Sequence, residues 1–294
     1  MKCLTTRAHS PSRVADWITL AKVRVNTLVV ATTAGGFYMG SPGPVDVTAL
    51  ALTCLGTALV AGGAAALNQV AERDTDALMV RTRTRPVAAD RMSVLEGRAV
   101  GVVLAVAGLM VLWWTISGLA ALVSVATLVS YVFFYTPLKR RTSFAAVVGA
   151  IPGALPPMIG WAASRGNIGE LGGWSLFLIM FVWQLPHVLA ISWMYRDEYA
   201  RAGIPVLPVV DTTGAMTGRQ AVVWAVTLVP ISVVPAVAGL ASPSYGIGAL
   251  VLGLAQLAVT VRFAFQRTHE HARLVFYASI IYLPLLWILM TVTR

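Results

Sequence analysis

An otherwise apolar chain is interrupted by one strongly polar stretch, NQVAERDTDALMVRTRTRP. Asn68, Glu72 and Asp76 recur every four residues in it, which predicts one shared face of a helix. Three arginines follow, Arg81 and Arg85 among them. Mg²⁺ takes oxygen ligands and is usually bound by one or two carboxylates plus substrate phosphates. Arginine offers a planar fork to phosphate oxygens. The stretch therefore predicts a site for a diphosphate held with Mg²⁺.

The same charges would also suit a solvated loop between two membrane helices. Each arginine, taken singly, fits either interpretation. The acidic positions favour a site, because polar residues this close to a membrane segment are costly and tend to be functional. Asp74 lies about 200° around the helix from Glu72, so we place it below the other two acids as a candidate.

A second acidic cluster follows a later apolar segment, WQLPHVLAISWMY. The spacing from His187 to Glu198 through two intervening positions predicts a single helical stripe, with His187 deeper in the membrane. Pro186 is expected to kink or interrupt this span. His187 is either hydrogen-bonded to a neighbouring helix or part of a site, and Asp197 suits a solvated interfacial acid.

A third stretch, YTPLKRRTSFAAVVGAIPGALPPMIGWAA, joins a basic turn to a segment rich in helix breakers. Lys139 to Arg141 form the basic part. The glycines and prolines that follow need a reason in a membrane segment. Small residues allow helices to approach closely, and they also leave room for a flat, bulky ligand. The sequence leaves both explanations open.

Long apolar runs must position these three stretches. Of the 294 residues, 57% are hydrophobic and 12% are charged, against about 25% charged in soluble domains. A run of about 20 apolar residues spans a bilayer, and such runs recur along the whole chain. We predict an all-α, polytopic membrane protein, a single domain over residues 1–294 with nine transmembrane helices. The predicted spans are 16–39, 47–70, 96–116, 118–136, 144–163, 173–192, 219–239, 244–265 and 272–291.

The positive charges follow the topology of these spans. When alternate loops are assigned to one side, 20 of the 22 Lys and Arg residues fall there. This bias places the N-terminus in the cytoplasm and the C-terminus outside. It also explains the net charge of +10 without a nucleic-acid partner. Residues 1–15 are predicted to form a cytoplasmic tail. The longer cytoplasmic loops, 71–95 and 193–218, are expected to face each other across a central cavity open to that side.

The three stretches together resemble the protohaem IX farnesyltransferases, or haem O synthases, of the UbiA-type superfamily of intramembrane prenyltransferases. That superfamily has a nine-helix fold with two aspartate-rich cytoplasmic motifs. Asn68, Glu72 and Asp76 match the first motif, with glutamate where aspartate is usual. The haem branch is indicated by YTPLKRRTS, GAIPGALPPMIGWAA, WQLPH and YARAGIPVLP. The second motif departs in the same way, since Glu198 stands where aspartate is common.

The resemblance implies transfer of a farnesyl group from farnesyl diphosphate to a vinyl group of haem b, with addition of water. Haem b is then a substrate, and Mg²⁺ carried by the diphosphate is the cofactor. Metal binding is implied for Glu72, Asp76 and Glu198, with Asn68 orienting the first cluster. The residues implied for substrate binding are Arg81, Arg85, Lys139, Arg140, Tyr135, His187, Asp197 and Arg201.

Two other functions compete with this one. A haem or lipid transporter would also be polytopic with broken helices, but its acids would lie at mid-membrane. A prenyltransferase acting on a quinone precursor would share the acidic motifs. The resemblance also implies an inner-membrane location and a downstream haem A synthase or terminal oxidase as partners.

Overall fold

Helices form all the regular structure of residues 12–294, the part of the chain that the computed structural model describes. Residues 1–11 of the predicted tail lie outside the described residues. A π-helical turn, Ser130–Tyr135, lies between α6 and α7. The helices are α1 Arg13–Leu20, α2 Val23–Gly40, α3 Val47–Ala71, α4 Arg73–Leu78, α5 Val94–Thr115, α6 Gly118–Val129, α7 Thr136–Leu138, α8 Ala145–Ala154, α9 Pro156–Arg165, α10 Leu171–Met194, α11 Arg196–Arg201, α12 Leu207–Val210, α13 Ala215–Val237, α14 Pro243–Gln266 and α15 His269–Val292.

Eight helical segments of residues 12–294 are long and apolar enough to cross a membrane. They correspond to the second to ninth predicted spans, with boundaries that differ by a few residues. Two of them combine shorter elements: α6 continues through the π-helical turn into α7, and α8 is followed directly by α9. The all-α, multi-pass fold predicted from the sequence is confirmed.

The first predicted span is not one helix. It divides into α1 and α2, because Lys22 adopts a left-handed backbone conformation with φ 47°. The side chain of Asn26 donates to the Ala21 carbonyl at 2.7 Å, and that of Gln69 donates to the Leu20 carbonyl at 2.7 Å. These side chains satisfy carbonyl groups that a helix end leaves without partners. The break is therefore a stabilised feature, and it sets Lys22 at the head of α2.

Helix α10 corrects a second expectation. It runs without interruption through Pro186 from Leu171 to Met194. The break comes later, at Tyr195, where φ −110° and ψ 19° separate α10 from α11. Glu198 therefore belongs to a different helix from His187, and the predicted stripe that joined these two residues does not exist.

Helices α2 and α9 approach each other closely through glycine. A Cβ added at Gly160 would overlap the Thr33 carbonyl oxygen, and one added at Gly36 would overlap the Pro157 carbonyl oxygen. Both obstacles are backbone atoms, which cannot rotate away. The close-packing explanation of the glycine-rich stretch is correct for Gly160.

We predict that Gly160→Ala destabilises the bundle by roughly 1–3 kcal/mol, the usual cost of overpacking. Thermal unfolding of the purified protein in detergent measures this as a lower Tm. Gly169→Ala is the matched control, since nothing lies within 4 Å of a Cβ at that position. Equal Tm values for the two variants would contradict the close contact.

Candidate functional site

Two buried carboxylates meet where α3 ends. Glu72 is 5% exposed and Asp76 is 3% exposed. Nη1 of Arg85 lies 2.6 Å from Asp76 Oδ2 and 3.8 Å from Glu72 Oε2. On its other side, Glu72 Oε1 accepts a hydrogen bond from Lys139 Nζ at 3.0 Å. The structure thus brings four of the predicted site residues into one cluster.

The chain turns at Glu72 to make this cluster. Glu72 caps α3 with φ −96° and ψ 6°, and α4 starts at the next residue. The Thr75 hydroxyl donates to the Glu72 carbonyl at 3.0 Å, and the Thr82 hydroxyl donates to the Asp76 carbonyl at 2.9 Å. The two acids therefore meet through a turn held by threonines, in place of the predicted unbroken helix face.

A cation that the sequence analysis did not select completes the cluster. Lys22 Nζ donates to Asn68 Oδ1 at 2.9 Å, and Asn68 Nδ2 donates to Thr136 Oγ1 at 3.2 Å. The sequence predicts that Asn68 orients the first cluster, and the cation that Asn68 contacts is Lys22. The available signal was a lysine inside an apolar run, which is rare in membrane helices and functional by default.

Burial and neighbouring charges act differently on the two carboxylates. Burial by itself would raise the pKa of Glu72, but Lys139, Lys22 and Arg85 together lower it below its ordinary value. Burial raises the pKa of Asp76 above its ordinary value against the opposing charge of Arg85. The negative charge of Asp76 is therefore incompletely compensated by the protein.

A cavity of about 430 Å³ opens beside this cluster, within the size range of small-molecule sites. Arg81 and Arg85 line it together with Lys22, and most of its remaining wall is apolar. Tyr135 also lines it, with its ring stacked on Tyr131 at 5.5 Å between centroids. The residues that form its apolar wall include Val25, Val29, Val60, Ala61, Ala64, Leu128, Ala146, Ala150, Pro152, Pro156, Ile159 and Val188.

The two polar loops meet beside the cavity, as expected from their positions after the second and sixth predicted spans. The Arg81 backbone N–H donates to Glu198 Oε2 at 3.3 Å. Met79 is buried in a small apolar cluster with Tyr199 and Ile204. The guanidinium of Arg81 lies 5.5 Å from the centroid of the Tyr195 ring. The second loop therefore holds the segment that carries Arg81.

The structure pairs two members of the predicted three-acid metal set, Glu72 and Asp76, and metal binding by Glu198 stays a prediction. No group of three His, Cys, Asp or Glu side chains among residues 12–294 is arranged to hold a metal ion. Glu72 and Asp76 are paired through Arg85, whereas Glu198 is engaged by the Arg81 backbone. The pair still suits Mg²⁺, which commonly takes one or two carboxylates and obtains its other ligands from phosphates and water.

Three predicted substrate contacts lie away from the cavity. Arg140 and Arg201 are exposed, and the side chain of Asp197 is 89% exposed. None of the three is part of the cavity wall. Sequence spacing could not separate these exposed charges from Lys139 and Arg85, whose side chains are each 19% exposed.

His187 lies against a neighbouring helix. Its Nδ1 lies 2.7 Å from the Ser279 hydroxyl, and its ring stacks against Trp183 and Phe276 with centroids about 5 Å apart. These contacts hold it against α15, and it is not part of the cavity wall. These contacts match the alternative of a histidine hydrogen-bonded to a neighbouring helix. A role of His187 in substrate binding stays a prediction.

The arrangement suits an amphiphilic anion. The cluster holds three cations, Lys22, Arg85 and Lys139, against two carboxylates, which leaves one net positive charge. Arg81 adds another at the cavity wall. A polyvalent anion with a divalent cation would be neutralised at this end, and an apolar chain attached to it would fill the cavity.

Comparisons with known proteins agree with this chemistry. A model of the UbiA prenyltransferase family matches residues 28–286. The chain is 44% identical to the protoheme IX farnesyltransferase of Solibacter usitatus, over 95% of this chain and 98% of that protein. It is 37% identical to that of Aquifex aeolicus, over 93% of each chain.

Solved structures with low sequence identity share the fold. A digeranylgeranylglyceryl phosphate synthase superposes with a TM-score of 0.80 at 15% identity, over 95% of this chain and 98% of that one. A UbiA homolog from Archaeoglobus fulgidus bound to GPP and Mg²⁺ superposes with a TM-score of 0.64 at 15% identity, over 94% and 99% of the two chains.

We predict that Lys22→Met weakens binding of inorganic diphosphate with Mg²⁺ by about tenfold or more, the loss expected for one charged hydrogen bond. Isothermal titration of the purified protein measures the Kd. Arg24→Met, which removes an exposed cation two residues away, should leave the Kd within about threefold, a shift below one hydrogen bond. Equal Kd values for Lys22→Met and wild type would exclude Lys22 from the anion site.

Proposed function

The chain belongs to the UbiA prenyltransferase family, and we propose that it transfers a farnesyl group from farnesyl diphosphate to a vinyl group of protohaem IX. Water adds in the same reaction, and haem O and diphosphate are the products. The named relatives share 37–44% of their residues with this chain over most of its length. Protohaem IX is a substrate here, and the protein holds it only for the reaction.

One observation carries the proposal: the carboxylate and cation cluster lies at the edge of an apolar cavity. Glu72, Asp76 and Arg85 provide ligands for a diphosphate and its metal ion. The cavity beneath them provides an apolar wall for the prenyl chain. A binding site for a soluble phosphate ester would need the charged cluster but not the apolar cavity.

The charged residues would assist departure of the diphosphate. Ionisation of an allylic diphosphate concentrates negative charge on the leaving group, and Arg85, Lys139 and Lys22 are held where that charge grows. Preorganised cations of this kind act strongly in a site that excludes water. Glu72 and Asp76 would hold Mg²⁺, which would further neutralise the same charge. Arg81, in the cavity wall, would add a further positive charge.

The charge asymmetry of the chain supports a location in the inner membrane, with the site at the cytoplasmic side. Both substrates would reach the cavity from that side or from the membrane. The product would then be passed to an enzyme or oxidase that uses haem O.

Incubation of membranes with labelled farnesyl diphosphate and alternative acceptors tests the proposal. Protohaem IX should become labelled, and 4-hydroxybenzoate should not. Transfer to 4-hydroxybenzoate alone would indicate a quinone-precursor prenyltransferase. Uptake of unchanged haem or lipid without any transfer would indicate a transporter.

We predict that Asp76→Asn lowers the rate of farnesyl transfer by about 100-fold or more, the effect of removing one preorganised group that stabilises developing charge. Asp74→Asn makes the same change at an exposed position two residues away and should stay within about threefold of wild type, as surface substitutions generally do. Initial rates and Tm values are measured for both variants. Turnover of Asp76→Asn within threefold of wild type would remove Asp76 from the site.

A further inference from the structure

Gln184 presents an unused hydrogen-bond acceptor to the cavity. It lies on α10 and forms part of the cavity wall. Its Nε2 donates to the Ala150 carbonyl at 2.7 Å. Because a carbonyl only accepts hydrogen bonds, this contact fixes the orientation of the amide and turns Oε1 away from Ala150. No donor from the described part of the chain reaches Oε1.

Gly153 makes room for this oxygen. A Cβ at position 153 would overlap Gln184 Oε1, so any side chain there would displace the amide. Gly153 also forms part of the cavity wall. The glycine-rich stretch of α8 and α9 thus leaves space for a polar group as well as for close helix packing.

The depth of Gln184 matches the site of bond formation. Its partner Ala150 adjoins Gly149, whose added Cβ would touch the Tyr135 ring. Tyr135 precedes Lys139 by four residues, which is about 6 Å along a helix. Gln184 therefore lies within a turn or two beneath the Lys139–Glu72 pair. A diphosphate at that pair would hold its allylic carbon directly below, near Gln184.

We propose that Gln184 is a positioning residue that orients, through Oε1, the water consumed in the reaction. This inference rests on the proposed function. The amide oxygen is too weak a base to take a proton, so its part is to hold and direct the water.

The reaction then balances as follows. The carbon–oxygen bond to the diphosphate breaks, and its electron pair leaves with the diphosphate. The vinyl π electrons form a carbon–carbon bond to the allylic carbon, which leaves a cation on the vinyl carbon next to the macrocycle. The oxygen of the held water bonds to this carbon, and a water proton passes to a diphosphate oxygen. Without the held water, the cation instead loses a proton from the adjacent CH₂ and gives an alkene that is lighter by one water.

The experiment compares products of a single turnover with farnesyl diphosphate and protohaem IX in water enriched in oxygen-18. Gln184→Leu should lower the ratio of hydroxylated product to alkene about tenfold, the effect of one lost hydrogen bond of about 1.4 kcal/mol. Its Kd for diphosphate with Mg²⁺ should equal that of wild type. Gln256→Leu is the matched control: Gln256 is 2% exposed, its Oε1 is also unpartnered among the described residues, and it lies on α14 outside the cavity wall. It should give the wild-type ratio.

Gln184→Glu keeps an acceptor oxygen and should keep the hydroxylated, oxygen-18-labelled product dominant, which tests the idea even if Gln184→Leu fails to fold. An unchanged product ratio in Gln184→Leu, or mainly alkene from Gln184→Glu, would overturn the role of Gln184 while leaving farnesyl transfer intact. If wild type itself forms no farnesylated haem, the proposed function fails, and this inference fails with it.

Discussion

Two carboxylates buried at one end of an apolar bundle constrain the rest of the structure. An ionised carboxylate loses several kcal/mol of solvation when it leaves water, and only close cations and hydrogen bonds offset that loss. Glu72 and Asp76 therefore require Arg85 and Lys139 within hydrogen-bonding distance. These cations come from different loops, so the helices that carry the loops must converge at the same point. The arrangement of α3, α4 and α7 follows from that requirement.

Each carboxylate of the cluster has a cation partner, but the charges of the cluster do not balance. Its cations outnumber its carboxylates, yet burial still raises the pKa of Asp76 above its ordinary value. An anion would balance the surplus of positive charge, and a metal ion beside Asp76 would compensate that carboxylate. A diphosphate with a bound metal ion would balance the surplus positive charge and also compensate Asp76. The mostly apolar wall of the cavity next to the cluster lowers the local polarity, which strengthens each of these interactions.

Hydropathy and charge patterns predicted the parts of this structure that depend on composition. Eight of the predicted spans are recovered, and the contact between the two polar loops is confirmed by Arg81 and Glu198. The failures came where a single backbone break changes the phase of a helix. Tyr195 separates Glu198 from the stripe of His187, and the left-handed turn at Lys22 places a cation in the cluster. Neither break involves glycine or proline, so residue type gave no local signal for it.

These breaks position the site through the side chains that they bring together. At the π-helical turn before α7, the Tyr131 carbonyl accepts the backbone N–H of Thr136 and also its hydroxyl, the latter at 2.8 Å. Thr136 in turn accepts from Asn68, whose other amide atom holds Lys22. Irregular helical turns of this type recur at functional sites. In this chain they link the ends of α2, α3 and α6 in one hydrogen-bonded series. The cation that faces the cavity is therefore fixed by departures from regular helix in three separate segments.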